Sequence, residues 1–143
     1  MKRDARKLTI SVQQELRERG IKMHNKGFKY PNSFLNIVNI KEVPYPDPYF
    51  FLGVLEEFTK KWNNNIKKQY PTRILVPFAK DERSDDVFCF DGTDTSGNPK
   101  VYMVHTYASP GWEDRGYWDN FDGWYDDIQL ESIKYKEEME EDE

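Results

Sequence analysis

The side chains in this sequence able to carry out chemistry are a dense set of carboxylates, the histidines His24 and His105, and the cysteine Cys89. Asp81, Glu82, Asp85 and Asp86 precede the apolar run Val87-Phe88-Cys89-Phe90, and Asp91 and Asp94 follow it. Oxygen donors in such numbers would suit Mg²⁺ or Ca²⁺ and, with a metal, hydrolysis. Their spacing does not form an EF-hand loop, and turns between strands favour Asp because its side chain bonds the nearby backbone. The local reading prevails, so neither a metal nor another cofactor is expected. His24 and His105 stand at no metal-ligand spacing from a second His or Cys. His105 lies between Val104 and Thr106 in a strand-like pattern, where a structural role is expected. Ser109 precedes Pro110 and Gly111 outside any nucleophile elbow. No phosphate-binding loop, dinucleotide fingerprint or zinc-protease helix occurs. Cys89 sits inside an apolar run, which predicts a buried, inert thiol and leaves no partner for an intrachain disulfide. No catalytic residue is assigned, and the chain reads as a binding protein rather than an enzyme.

A different chemistry runs from Tyr102 to Tyr125. Tyr102, Tyr107, Trp112, Tyr117, Trp118, Phe121, Trp124 and Tyr125 are interleaved with Glu113, Asp114, Asp119, Asp122, Asp126 and Asp127, and Arg115 alone offsets those acids. One small core cannot take every ring. Phe121 and Trp124 are expected to complete it, and Trp112, in a Pro-Gly loop, is expected outside. Exposed Trp and Tyr are the usual energetic anchors of protein interfaces, and surrounding carboxylates steer a basic partner. The expected partner-binding residues are Asp85, Asp86, Trp112, Glu113, Asp114, Tyr117, Trp118 and Asp119. Rings among carboxylates repel phosphates, so nucleic acid is not an expected partner.

The elements that must position these residues follow from pattern. Leu8, Val12 and Leu16 share one face of a helix that stops at Gly20. A short helix follows Pro31, with Asn32 or Ser33 as its cap. Pro44, Pro46 and Pro48 exclude a helix interior, and Leu52, Leu55, Trp62 and Ile66 then predict a helix from about Tyr49 to Gln69. Beyond Pro71 the runs 73–79, 87–90 and 100–107 predict neighbouring strands, the last two joined across the turn-rich 91–99 as an antiparallel hairpin. Residues 108–116 read as loop, and a last helix begins near Asp119 or Asn120.

Bulk properties agree with a single α+β domain. The chain has 143 residues, 33% of them charged and 15% aromatic, which predicts an aromatic core under a charged surface. Residues 1–80 carry 16 basic and 7 acidic side chains, a balance of +9, while residues 81–143 carry 5 and 19, a balance of −14. Residues 1–136 read as the domain and 137–143 as an acidic disordered tail. No membrane-spanning stretch or secretory leader is expected, which predicts a cytoplasmic protein with no membrane partner.

The run Ile74-Leu75-Val76-Pro77-Phe78-Ala79, the acidic turn, and Val87-Phe88-Cys89-Phe90-Asp91 together resemble the central signature of the SUKH (Smi/Knr-like) superfamily. Pro99-Lys100-Val101-Tyr102 is similar to its next strand, and Gly27-Phe28-Lys29-Tyr30-Pro31-Asn32-Ser33-Phe34-Leu35 to its helix start. The likeness covers about Leu8 to Ile128. It departs from the pattern in the turn Glu82-Arg83-Ser84-Asp85-Asp86, where members often carry Gly, as a divergent member would. The resemblance implies an α+β fold with a central, mostly antiparallel sheet flanked by helices and no catalytic residues. It also implies an immunity-type role: direct neutralisation of a cognate bacterial toxin, often a basic nuclease, by a monomer or weak homodimer. The alternative it leaves is a regulatory or scaffolding module without a toxin partner.

Overall fold

The computed structural model describes residues 5–6, 27–38, 43–44, 46–52 and 56–141. In chain order these form β1 (Ala5–Arg6), α1 (Asn32–Val38), β2 (Val43–Pro44), β3 (Tyr49–Phe51), α2 (Glu56–Gln69), β4 (Leu75–Asp81), β5 (Asp86–Asp91), β6 (Val101–His105), β7 (Asp114–Trp118) and α3 (Phe121–Glu141). Strands β3 to β7 pair in sequence order as one antiparallel sheet, and β1 and β2 form a separate antiparallel ribbon. This is an α+β fold with a central sheet flanked by helices. The expected helix from Leu8 to Arg19, and His24, lie outside the described residues.

Alternation along the strands builds two cores. Successive strand side chains point to opposite faces. In β5, Val87 and Cys89 meet Trp62, Ile66 and Tyr70 on the α2 side, whereas Phe88 and Phe90 join Phe34, Phe78, Phe121 and Trp124 under α1 and α3. The second core is mostly rings: Phe78 stacks on Phe90 at 4.0 Å between centroids, and Phe34 meets Phe90 edge-on at 5.2 Å. Such pairs add about 0.5–1.5 kcal/mol each beyond their burial. Pro77 is tolerated inside the buried β4 because the pairing with β5 shifts register between Pro77 and Ala79.

The structure departs from the sequence reading at three places. Tyr49–Phe51, expected to open the second helix, is a strand whose Phe50 pairs with Lys80. All three of its side chains are buried, and periodicity cannot separate such a run from a helix. Asp114–Trp118 is a strand, although 108–116 reads as loop; its side chains are largely exposed and give no alternating signal. The acidic stretch expected to be disordered from Glu137 continues α3 through Glu141. Glu, Lys and Met are good helix formers, and the Arg83 guanidinium, 5.4 Å from the Tyr135 ring centroid, holds the preceding turn against the sheet.

Two helices on opposite faces of the sheet carry opposite excess charge. Lys60, Lys61, Lys67 and Lys68 are exposed on α2. Asp122, Asp126, Asp127, Glu131, Glu137, Glu138 and Glu140 are exposed on α3, across the sheet. Among the described residues, no helix is long and apolar enough to cross a membrane.

Candidate functional site

Two ends of β7 carry the expected site residues. At the first end, the turn between β4 and β5 is tied to the end of β6. The Asp85 carbonyl accepts from the Thr106 N–H at 3.1 Å and from the Thr106 hydroxyl at 2.7 Å. The Asp86 carboxylate lies 2.8 Å from His105 Nδ1 and accepts from the Ser84 hydroxyl at 3.1 Å. Asp85 is exposed, while Asp86 is half-buried and engaged with these neighbours.

The loop from Thr106 to Glu113 is fixed against α2. The Tyr70 hydroxyl donates to the Ala108 carbonyl at 2.8 Å, and the Tyr107 N–H donates to Gln69 Oε1. Tyr107 adopts a left-handed backbone at φ 68°, a conformation that costs a non-glycine residue roughly 1–2 kcal/mol. Its hydroxyl accepts from Asn65 Nδ2 at 3.3 Å, and its ring is edge-on to Trp62. Even so, Tyr107 is 63% exposed and Trp112 is 75% exposed.

Glu113 is placed differently from an interface acid. It is 6% exposed, and its carboxylate accepts from the Gly111 N–H at 2.6 Å and from Arg73 Nη1 at 2.9 Å. Burial alone would raise its pKa, but the N–H groups of Glu113 and Gly111 and the Arg73 guanidinium outweigh burial and hold it below the usual value. Asp114 is exposed yet also accepts from Arg73 Nη1, at 2.7 Å. Glu113 and Asp114 therefore spend much of their charge inside the molecule.

At the other end of β7, Tyr117, Trp118 and Asp119 meet the first turns of α3. Asn120 caps that helix: its carbonyl accepts the Trp124 N–H, and its side-chain oxygen accepts the Gly123 N–H at 2.9 Å. The cap turns Asp126 and Asp127 back towards the strand. Trp118 Nε1 donates to Asp127 Oδ2 at 2.8 Å, and the Trp118 ring packs on Phe88 from its half-buried position. An open depression of about 530 Å³ results, lined by Tyr117, Trp118, Asp119, Asn120, Gly123, Asp126 and Asp127. Among the described residues, no cation pairs with Asp119, Asp126 or Asp127. The nearest positive charge that the structure places on these rings is Lys100 Nζ, 5.0 Å from the Tyr117 centroid.

The expected residues thus fall into two groups. Asp85, Asp86, Trp112, Glu113 and Asp114 gather at the first end; Tyr117, Trp118 and Asp119 gather at the second. Along β7 the nearest members of the two groups, Asp114 and Tyr117, are three residues or roughly 10 Å apart. Asp126, Asp127 and Tyr107 were not singled out from the sequence as site residues. For Asp126 and Asp127 the sequence signal was an Asp-Asp pair following Trp124 and Tyr125 among the interleaved acids, and nothing local ties it to Trp118. Cys89 is fully buried, and burial pushes its thiol far up from the ordinary value, so it stays protonated. Among the described residues, no three His, Cys, Asp or Glu side chains converge as a metal site.

The chain matches no protein-family model, no curated protein and no solved structure.

Proposed function

We propose that this protein is a non-catalytic, cytoplasmic binding protein of the immunity type, which neutralises a basic bacterial toxin by direct contact. One observation carries the reading: the depression where Tyr117 and Trp118 stand beside Asp119, Asp126 and Asp127. Rings next to carboxylates that have no cation partner among the described residues suit a Lys or Arg side chain, which gains both ion pairing and cation–π attraction. Trp112, 75% exposed at the far end of β7, supplies a second anchor on a loop tied down by the Tyr70 and Gln69 hydrogen bonds, which would lower the entropic cost of association. The resemblance to the SUKH superfamily supplies the toxin; the surface supplies the chemistry.

The test is capture followed by rescue. Immobilised wild-type chain exposed to lysate of its source organism should retain a basic protein that an Asp126→Lys, Trp112→Ala double variant does not. Expressed alone, that protein should arrest growth, and co-expression of the chain should restore it. A retained protein that is harmless, or one held equally by the double variant, refutes the proposal.

A further inference from the structure

Tyr107 is an unusual residue for its position. Its left-handed backbone, at φ 68°, suits Gly or Asn better, and its ring is 63% exposed, so core packing does not account for a tyrosine here. Strained residues of this kind concentrate where ligands are clamped. Three contacts hold Tyr107 against α2. Asn65 Nδ2 donates to its hydroxyl at 3.3 Å, Gln69 Oε1 accepts its N–H, and Trp62 meets its ring edge-on at 6.2 Å between centroids.

The same helix sets cations beside that ring. Lys60, Lys61, Lys67 and Lys68 are exposed, and among the described residues no carboxylate pairs with any of them. Asn65 follows Lys61 by four residues and precedes Lys68 by three, so the three are neighbours along one side of α2. Lys61 Nζ lies 5.3 Å from the centroid of the Trp62 indole that Tyr107 touches. Glu113 and Asp114, beyond the loop, are taken up by Arg73. Asp85 remains exposed beside Thr106 and bounds the basic surface on that side.

We propose that α2 and Tyr107 form a binding site for single-stranded nucleic acid, with the Tyr107 ring stacking on a base and the lysines holding phosphates. The pairs Lys60-Lys61 and Lys67-Lys68 are seven residues apart, about 10 Å along the helix. One strand advances about 3.4 Å per stacked nucleotide, so the pairs match phosphates about three nucleotides apart. A duplex keeps its bases stacked inside and would leave the ring unused, which selects the single strand. The sequence reading set nucleic acid aside because its rings lie among carboxylates. The fold takes Tyr107 out of that setting and places it among lysines. This site does not rest on the toxin reading, whose depression lies at the start of α3 on the opposite face of the sheet.

Fluorescence anisotropy of a labelled oligothymidylate of about 12 nucleotides, titrated with the full chain, tests the site. Wild type should bind, with log K falling against log salt at a slope of about −3 for four phosphate contacts. Lys67→Ala with Lys68→Ala should roughly halve that slope. Tyr107→Asn, which suits the left-handed backbone, should weaken binding about tenfold and leave the slope unchanged, whereas Tyr107→Phe, which keeps the ring, should bind like wild type. Absence of binding at low salt, equal affinity for a duplex of the same length, or a Tyr107→Asn variant that binds like wild type would overturn the proposal. So would a chain that binds vesicles containing phosphatidylserine but not the oligonucleotide.

Discussion

Replacing Glu113 by Ala tests whether this acid belongs to the interior or to a docking surface. Its carboxylate accepts two bonds, from the Gly111 N–H at 2.6 Å and from Arg73 Nη1 at 2.9 Å. Hydrogen bonds to a charged group contribute about 1.5–3 kcal/mol each. Arg73 keeps Asp114 at 2.7 Å, and its side chain is 25% exposed, so water and Asp114 recover part of the loss. The net cost should be about 2–3 kcal/mol, read as the midpoint shift in urea unfolding. At roughly 4 °C per kcal/mol for a chain of this size, Tm should fall by about 8–12 °C. The cost should depend on pH in a definite direction. The folded carboxyl is held below its usual value, so its contribution is complete above the unfolded pKa of about 4.3 and is lost as pH falls through the lower folded pKa. The gap between wild type and variant should be full at neutral pH and narrow below about pH 4. A loss under about 0.5 kcal/mol, typical of an ordinary surface change, or a gap constant with pH, would refute this account of Glu113.

Two further changes probe how the site is held. Tyr70→Phe removes the hydroxyl that donates to the Ala108 carbonyl, and should cost about 1 kcal/mol and speed amide hydrogen exchange across 106–112. Gly92→Ala would put a Cβ 2.6 Å from Ile74 Cγ2 and 2.8 Å from the Ile74 carbonyl oxygen, so the turn after β5 must shift. Its unfolding free energy should drop by about 1–3 kcal/mol.

The strands β4, β5 and β6 were legible because each is a short apolar run bounded by charge or by turn residues, and the 91–99 connection carried its own turn chemistry. Burial of both faces hid β3: Tyr49-Phe50-Phe51 has no polar alternation and runs into the helical spacing of Trp62 and Ile66. Exposure hid β7, where Asp-Arg-Gly-Tyr-Trp has no apolar face to alternate. The exposed Trp112 and Tyr117 could be read, since a Pro-Gly loop and an excess of rings over core space are local facts. The role of Glu113 could not, because its partner Arg73 lies 40 residues away. The joining of Trp118 to Asp127 was equally hidden, since it needs the strand to end and the helix to start at Asn120.

The central claim, that acids and rings at the β7–α3 junction dock a basic protein, is tested most directly by association kinetics. The captured partner should bind an Asp122→Lys, Asp126→Lys variant with an association rate constant about tenfold or more below wild type at low ionic strength. The two rates should converge as salt screens the field beyond about 10 Å near 0.1 M. Equal rates at low salt, or a difference that salt leaves untouched, would contradict the account.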